Sequence, residues 1–398
     1  MSALSSITEN ANVAVVGASG GIGSEFVRQL SADPRVGQVH ATSRSAGEFA
    51  SDNVLSHVLD LDDEESIRAA AIAATSTAPL DVVIVASGVL HDGQMQPEKS
   101  IGQIEAFAML DVMRINAVGP ALVAKHFLPL LRRGEKTIFA ALSARVGSIT
   151  DNRLGGWASY RASKAALNML LKTASIEHAR RFPQSVVIGL HPGTVDTNLS
   201  RPFQRRVPEK QLFTPAFSVS RLLQVIDQRT PEDSGRCFAW DGPVIEYIPE
   251  LRFSDPWVTA NITVTDLLAH RSGLMSHAGD LLLWPVPNDF TSEDIIYSLR
   301  YFPIERGFRA GYSYENLLYI VAGEVVSRAS GMPWGAFVDR NIMQSLGMRR
   351  CFAGPVPDDE MRNLAVPHGE VEGALVTIDR NRVPQQPSKF APAGGIVC

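Results

Sequence analysis

A glycine-rich turn between a strand and a helix constrains the fold of this chain more than any other feature of its sequence. Residues 12–16 form a short apolar run that predicts a buried strand, and residues 25–30 indicate a helix. Between them, Gly17, Gly21 and Gly23 permit a tight turn, let the backbone approach a pyrophosphate and let the helix pack on the strand. Free N–H groups at the start of the helix would then attract phosphate. This segment therefore predicts the start of a dinucleotide-binding fold.

Apolar runs alternate with helical segments along the rest of the first 242 residues. Further strands are predicted at residues 38–42, 54–58, 80–86, 137–142 and 185–190, and helices at 64–74 and 111–127. Runs that are nearly continuous in Val, Ile and Ala are typical of a parallel sheet buried on both faces. The predicted fold class is α/β, with a Rossmann-type doubly wound parallel sheet. Ligands of such sheets bind at the carboxyl ends of the strands.

The residues that directly follow the predicted strands form a candidate cofactor site. Ser43 and Arg44 stand where an NAD-binding protein usually has an acidic residue, and an arginine suits the 2′-phosphate of NADP(H). NADP(H) is therefore favoured, with NAD as the alternative, and an ordinary surface arginine is the other interpretation of Arg44. The predicted cofactor-binding residues are Gly17, Ser19, Gly21, Ile22, Gly23, Ser43, Arg44, Asp60, Leu61, Ala86, Gly88, Pro192, Gly193, Thr194, Val195 and Thr197.

Tyr160 and Lys164 form the candidate catalytic pair. Residues four apart share one face of a helix, and an ammonium beside a phenol should lower its pKa from the usual ~10. Such a phenol could give a proton to a carbonyl oxygen or take one from an alcohol. A surface pair on an amphipathic helix is the alternative. Asn116 lies inside a predicted helix, where asparagine is unfavourable, so its side chain bends the helix, binds a water or faces solvent.

Residues 12–245 resemble the short-chain dehydrogenases/reductases, in the group of C-factor and sniffer-like carbonyl reductases. The motifs that carry the resemblance are the glycine turn, Asn116, Ser143, Tyr160-x3-Lys164, residues 192–197 and residues 238–242. The resemblance implies that Tyr160 is the acid/base and that Lys164 also binds the nicotinamide ribose of the cofactor. It further implies that Ser143 holds the substrate carbonyl and that Asn116 holds a relay water. The implied reaction is NADP(H)-dependent reduction of a small-molecule carbonyl to an alcohol, or the reverse.

The identity of the serine stays open within this resemblance. Aligning by the strand at residues 138–142 selects Ser143, whereas aligning by Gly147 places Ala144 at the catalytic position. Ser148 is the reserve candidate.

The sequence changes character after Gly242. Residues 243–398 resemble the helical middle of serine β-lactamase and penicillin-binding-protein-type esterase domains, through residues 266–274, the Tyr314-Glu315-Asn316 box and residues 392–397. Those enzymes need a serine three residues before a lysine, and no lysine of this sequence has one there. We therefore expect a dehydrogenase domain at 1–242 and a truncated β-lactamase-like helical segment at 243–398, without hydrolase activity. Because the sheet that such helices pack on is missing, we expect this segment to expose apolar surface or to pack poorly.

Composition narrows the functional classes. The net charge of −5 and the scattered lysines give no polybasic signal for nucleic acid or an anionic membrane. Three cysteines far apart indicate a reducing compartment and no metal site, and no apolar run reaches the ~20 residues of a membrane span. We expect a cytoplasmic oxidoreductase, and a homo-oligomer is compatible with the fold. The alternatives are a serine hydrolase, which the missing Ser-x-x-Lys disfavours, and a non-catalytic dinucleotide-binding signalling protein.

Overall fold

The chain folds into two compact units, Met1–Asp241 and Gly242–Cys398. The computed structural model describes residues 3–397, apart from residues 46, 48, 93–94, 150–151, 153, 208–211, 241, 286–287, 358–359, 361–364, 367 and 379–387. Each unit has a hydrophobic core of its own.

A seven-stranded parallel sheet forms the centre of the first unit. The strands of the first unit are β1 (Ala11–Val16), β2 (Val36–Ser43), β3 (Val54–Val58), β4 (Val82–Val85), β5 (Thr137–Leu142), β6 (Ser185–His191), β7 (Thr194–Val195), β8 (Leu212–Phe213) and β9 (Cys237–Ala239). Of these, β7 and β8 form a separate two-stranded sheet. The order across the sheet is β3-β2-β1-β4-β5-β6-β9. The predicted Rossmann-type fold is confirmed. The fourth strand is shorter than predicted, because Leu80 makes only an isolated bridge to Leu131.

Helices cover both faces of this sheet. They are α1 (Gly21–Ser31), α2 (Glu64–Ala74), α3 (Ala106–Met113), α4 (Gly119–Phe127), α5 (Ala158–Ala179) and α6 (Pro215–Gln228). In β1, Val13 and Val15 pack in the core shared with α1 and α6, whereas Ala14 and Val16 pack in the core shared with α2, α4 and α5. Burial of both faces explains why the strand has no polar alternation.

One helical stretch, Ala106–Leu130, is long and apolar enough by length and composition to cross a membrane. No uninterrupted apolar run marks this stretch in the sequence, because Asp111, Arg114 and Lys125 divide it. Within it, Val123 and Phe127 are fully buried in the core beside the sheet. Lys125 Nζ forms an ion pair of 2.5 Å with Glu64 Oε1 on α2. The apolar character of this stretch therefore fits a helix that packs on the sheet.

The second unit is mainly helical, as predicted. Its helices are α7 (Pro256–Asn261), α8 (Val264–Leu268), α9 (Ser292–Ser298), α10 (Asn316–Ser330) and α11 (Trp334–Val338), and its short strands are β10 (Phe352–Ala353), β11 (His368–Val371), β12 (Ala374–Thr377) and β13 (Ile396–Val397). The expectation of poor packing is wrong for the described residues, because Leu317, Leu318 and Val321 of α10 are fully buried in a core of its own. The expected exposed apolar surface is present, and Leu281 is 84% and Leu346 is 70% exposed.

Helix α8 of the second unit is held at both ends by polar side chains. Thr263 and Asp266 form a reciprocal capping box at its start. The helix ends at Leu268. Asp266 is fully buried and also accepts from Arg309 Nη2 at 2.7 Å, so this carboxylate holds the turn after the helix.

Candidate active site

The glycine turn between β1 and α1 allows neighbouring backbone segments to approach one another closely. Gly17 has a φ of 86°, and a Cβ atom added there would lie 2.9 Å from Ser87 N. A Cβ atom on Gly23 would lie 2.1 Å from Gly17 O, so only glycine lets α1 pack on the turn. Helix α1 begins at Gly21 without a side-chain cap, and Ser19 is exposed beside it. The uncapped first turn leaves N–H groups for the pyrophosphate of a dinucleotide.

The carboxyl end of β2 is hydrogen-bonded to this turn. Thr42 O accepts hydrogen bonds from Gly17 N and Ala18 N, both at 2.9 Å. Two residues further on, Arg44 is exposed. Ser43 is buried and its hydroxyl donates to Ser45 O at 2.5 Å. Of the predicted Ser-Arg pair, the guanidinium of Arg44 is therefore the group that is available to a ligand.

Two further predicted segments frame the same edge of the sheet. Asp60 Oδ1 accepts from the backbone N–H of Asp62 at 3.1 Å at the end of β3, and Leu61 packs on Gly119, where an added Cβ atom would lie 3.0 Å from Leu61 Cβ. After β6, a Cβ atom added to Gly21 would lie 2.8 Å from Thr197 Cγ2, which brings this segment onto the glycine turn. The segment also contains Pro192, Gly193, Thr194 and Val195, of which Gly193 has a φ of 78°.

Tyr160 and Lys164 lie on one face of α5, as predicted. Lys164 is buried, its Nζ lies 5.8 Å from the centroid of the Tyr160 ring, and it donates to Leu142 O at 2.8 Å. Burial raises the pKa of the half-buried Tyr160 to about 12 and lowers the pKa of Lys164 to about 8. Desolvation of the phenolate therefore outweighs the lowering expected from Lys164, so the net shift of the Tyr160 pKa is opposite to the predicted one. At neutral pH the phenol is protonated and the lysine is charged.

Asn116 is fully buried in a π-helical turn, Arg114–Val118, between α3 and α4. Its Oδ1 accepts from Val89 N at 2.8 Å, and its Nδ2 donates to Val89 O at 2.7 Å and to Ser163 Oγ at 3.2 Å. The interpretation of a solvent-facing asparagine is wrong. A carboxamide oxygen has two lone pairs, so one of them remains for a water. A Cβ atom on Gly88 would lie 3.3 Å from Asn116 Oδ1 and 3.6 Å from Lys164 Nζ, so both groups reach the same side of Gly88.

Ser143 bonds to a part of α5 that lies beyond Tyr160. It is buried after β5, and its hydroxyl donates to Asn168 Oδ1 at 2.6 Å. Asn168 is eight residues beyond Tyr160 on α5, which corresponds to roughly 12 Å along the helix axis. The hydroxyl of Ser143 therefore links the end of β5 to α5 at a point about two helical turns beyond Tyr160. Ala144 carries no hydroxyl, and Ser148 is half-buried after the short 3-10 turn Arg145–Gly147.

An aromatic cluster that was not predicted from the sequence packs beside the phenol of Tyr160. The Trp157 ring packs edge-on to the Tyr160 ring at a centroid distance of 6.3 Å, and Phe203 packs on Trp157 at 5.0 Å. His91 follows at 5.6 Å from Phe203. Tyr160 also lines a pocket of about 220 Å³, whose other walls include Leu90, Met95, Pro97, Glu98, Ala108, Val112 and Ser159. No local pattern could find this cluster, since its members come from three separate loops.

Comparisons with known proteins agree with this geometry. A family model described as short chain dehydrogenase matches residues 11–207. C-signal of Myxococcus xanthus is 36% identical over 171 residues, which cover 43% of this chain and 95% of that protein. The 1-hydroxy-2-glutathionyl-2-methyl-3-butene dehydrogenase of Rhodococcus sp. (strain AD45) is 32% identical over 237 residues, which cover 59% of this chain and 99% of that protein. The chain belongs to the short-chain dehydrogenase family. The predicted resemblance is confirmed.

A solved structure supports the same assignment. NADPH-bound carbonyl reductase from chicken fatty liver matches with a TM-score of 0.52 and 28% identity, over 60% of this chain and 95% of that one. As a short-chain dehydrogenase, the protein is an oxidoreductase whose first unit binds a nicotinamide dinucleotide. The glycine cradle and the uncapped start of α1 fit that cofactor.

The second unit resembles a different family. A model described as beta-lactamase matches residues 227–398. The predicted Tyr314-Glu315-Asn316 box forms a network at the start of α10, where Tyr314 Oη donates to Asn316 Oδ1 at 3.1 Å and Asn316 Nδ2 donates to Asp280 Oδ1 at 3.1 Å. Burial raises the pKa of Glu315 to about 8. The sequence has no Ser-x-x-Lys to supply a nucleophile and its base, so the absence of hydrolase activity stays a prediction.

The cysteines and the other side chains that can bind metals do not form a cluster in the described residues. Within the described parts of the chain, no group of three or more His, Cys, Asp or Glu side chains could hold a metal ion. Cys237 is a free thiol, whereas Cys351 is disulfide-bonded. The cysteine argument for a reducing compartment did not anticipate that bond.

Proposed function

We propose that the first unit is an NADP(H)-dependent carbonyl reductase in which Tyr160 donates the proton. The observation that carries this proposal is that Tyr160 and the buried Lys164 share one face of α5, with Lys164 Nζ 5.8 Å from the centroid of the Tyr160 ring. Burial also raises the pKa of Tyr160 to about 12, which favours the protonated phenol near pH 7. A protonated phenol is the form that can give a proton to a carbonyl oxygen. Near pH 7 the site therefore suits reduction of a carbonyl better than oxidation of an alcohol.

The residues of the chain have separate tasks in this reaction. When bound, the reduced nicotinamide supplies a hydride to the carbonyl carbon. Tyr160 gives its proton to the carbonyl oxygen as negative charge develops there, so that an alcohol forms. The Lys164 ammonium stabilises the phenolate that remains. A water bonded to the second lone pair of Asn116 Oδ1 and to Lys164 Nζ would return a proton to the site, because both groups face the same side of Gly88.

Ser143 has no part in this proposal, because its hydroxyl is bonded to Asn168. We propose Ser148 as the residue that orients the carbonyl oxygen, since it is the next hydroxyl along the loop that follows β5.

We propose NADP(H) rather than NAD(H) as the preferred cofactor because of Arg44. Its guanidinium is exposed two residues beyond the bonds that tie β2 to the glycine turn, and a 2′-phosphate there would form a charge-assisted hydrogen bond. Arg44→Ala should weaken NADPH binding about 10-fold or more, because such bonds contribute ~1.5–3 kcal/mol, and leave NADH binding unchanged. Fluorescence titration of the full chain with both cofactors measures this, with Arg68→Ala on α2 as the control. Equal losses for NADPH and NADH would remove the argument for NADP.

The activity itself is tested by NADPH oxidation at 340 nm against a panel of aldehydes, ketones and quinones. Tyr160→Phe should lower kcat by about 10²-fold or more, the usual contribution of a general acid, while NADPH still binds. Tyr301→Phe, an exposed tyrosine of the second unit, is the matched control. Retained turnover in Tyr160→Phe would exclude the proposed mechanism. Tight NADPH binding without turnover of any substrate by the unaltered protein would favour the signalling alternative.

A further inference from the structure

The entry into the catalytic helix α5 is conformationally unusual. Gly155, Gly156 and Trp157 have successive φ values of 63°, 66° and 54°, and the left-handed region is unfavourable for a tryptophan. Trp157 is the N-cap residue of α5, yet it provides no side-chain cap, and the first turn contains no acidic residue. Because the first N–H groups of a helix have no partner within the helix, something outside α5 must hold this turn.

Glu98 provides that support from a distant loop. Its backbone oxygen accepts from Trp157 N at 2.5 Å. Its carboxylate accepts from Ser159 N at 3.3 Å through Oε2 and from the Ser159 hydroxyl through Oε1. Glu98 is 8% and Ser159 is 3% exposed, so these bonds are shielded from water. One residue thus binds both the cap residue and the second residue of α5.

The backbone of the turn that meets the Glu98 loop favours glycine. The φ of 66° at Gly156 disfavours any other residue, and a Cβ atom there would be in van der Waals contact with Glu98 O at 3.5 Å and Lys99 O at 3.4 Å. The loop that carries Glu98 and the turn that precedes α5 are therefore packed backbone against backbone. A carboxylate at this end of a helix is also favoured by the helix dipole.

We infer that Glu98 is a positioning residue for the reaction, which caps α5 from outside the helix and thereby fixes where Tyr160 lies. Tyr160 directly follows Ser159, and Glu98, Ser159 and Tyr160 line one pocket. A shift at Ser159 is consequently passed to the phenol through a single peptide unit. A misplacement of about 1 Å can cost ~10²-fold in rate, so the capping bonds act on turnover more than on cofactor binding. The effect on turnover rests on the proposed function, whereas the capping of α5 does not.

The test compares Glu98→Ala, Glu98→Gln and the control Glu177→Ala, which removes an exposed carboxylate from the same helix. For Glu98→Ala we expect kcat to fall about 10–100-fold while the Kd for NADPH stays within about twofold, since the glycine turn is unaltered. Glu98→Gln keeps an oxygen that accepts from Ser159 and should recover kcat to within about fivefold. The pH profile of kcat should shift in Glu98→Ala because the environment of the phenol changes, whereas Glu177→Ala should leave it in place.

Hydrogen exchange of the full chain gives a readout that does not need turnover. Amides at residues 158–161 should exchange about tenfold faster in Glu98→Ala than in the unaltered chain, because the cap that holds them closed is lost. Unchanged exchange in this turn, or kcat within twofold in Glu98→Ala, would overturn the inference. Loss of NADPH binding together with faster exchange throughout the first unit would also overturn it, since that result assigns Glu98 to general stability. If the unaltered protein binds NADPH but reduces no carbonyl, the proposed function fails, and the exchange result alone decides the role of Glu98.

Discussion

Replacing Asn116 by alanine tests how the π-helical turn supports the active site. Three hydrogen bonds would be lost, namely those to Val89 N, Val89 O and Ser163 Oγ. At ~1 kcal/mol each, their loss costs about 3 kcal/mol, and the better helix propensity of alanine returns ~0.6 kcal/mol. We therefore expect the free energy of unfolding of the first unit to fall by about 2–3 kcal/mol, which corresponds to a lower Tm by roughly 4–12 °C for a unit of this size.

The assay is urea unfolding of the full chain followed by pulse proteolysis, with peptides of the first unit counted by mass spectrometry. Asn341→Ala is the matched control, because Asn341 also lies in a π-helical turn, Asp339–Met343, but is exposed and donates one bond to Phe337 O. This control should change stability by less than ~0.5 kcal/mol. Asn116→Asp should fall between the two, because its carboxylate still accepts from Val89 N but cannot donate to Val89 O.

The kinetic effect of the same substitution is separate from its effect on stability. Asn116 holds Gly88 and Val89 beside Lys164, so Asn116→Ala should lower kcat even at temperatures where the variant is fully folded. A loss of stability below ~0.5 kcal/mol in Asn116→Ala, or unchanged kcat, would refute the view that the buried side chain is a structural clamp on the site.

Three further predictions follow from single contacts. Gly23→Ala should reduce NADPH binding by at least ~100-fold, because the new methyl group would lie 2.1 Å from Gly17 O and an overpacked site is strained by ~1–3 kcal/mol or more. Titration calorimetry measures the NADPH affinity, and an affinity within threefold of that of the unaltered protein would contradict this prediction. Ser143→Ala should change kcat by less than about threefold while lowering stability by ~1 kcal/mol through its lost bond to Asn168, and a 100-fold loss of kcat would restore Ser143 to the reaction. Carbonyl reduction should fall as pH rises through about 8, because the Lys164 ammonium is protonated below that pKa and neutral above it; a rate profile that is flat to pH 10 would be inconsistent with a role for its charge.

The two units differ in how their candidate site residues are arranged. In the first unit, Asn116 Oδ1 and Lys164 Nζ lie on the same side of Gly88. In the second unit the described residues form a packed core around α10, and the polar residues of its Tyr314-Glu315-Asn316 box bond to one another and to Asp280. An ester such as p-nitrophenyl acetate is therefore expected not to be hydrolysed above the uncatalysed rate, and any turnover abolished by Tyr314→Phe would contradict this expectation.

The sequence by itself determined the features of this protein that depend on neighbouring residues. The glycine turn, the strand at Val54–Val58 and the shared helix face of Tyr160 and Lys164 were all predictable, because backbone conformation and side-chain periodicity are local properties. Contacts between segments that are distant in the sequence decided the pKa of the phenol and the hydrogen-bond partners of the site residues. Desolvation by the surrounding fold sets the Tyr160 pKa, and the fold turns the Ser143 hydroxyl towards Asn168. Only the tertiary structure brings Glu98 to Ser159, which is 61 residues away in the sequence. Sequence periodicity predicts helices and strands, but it does not predict which loop packs against the end of a helix.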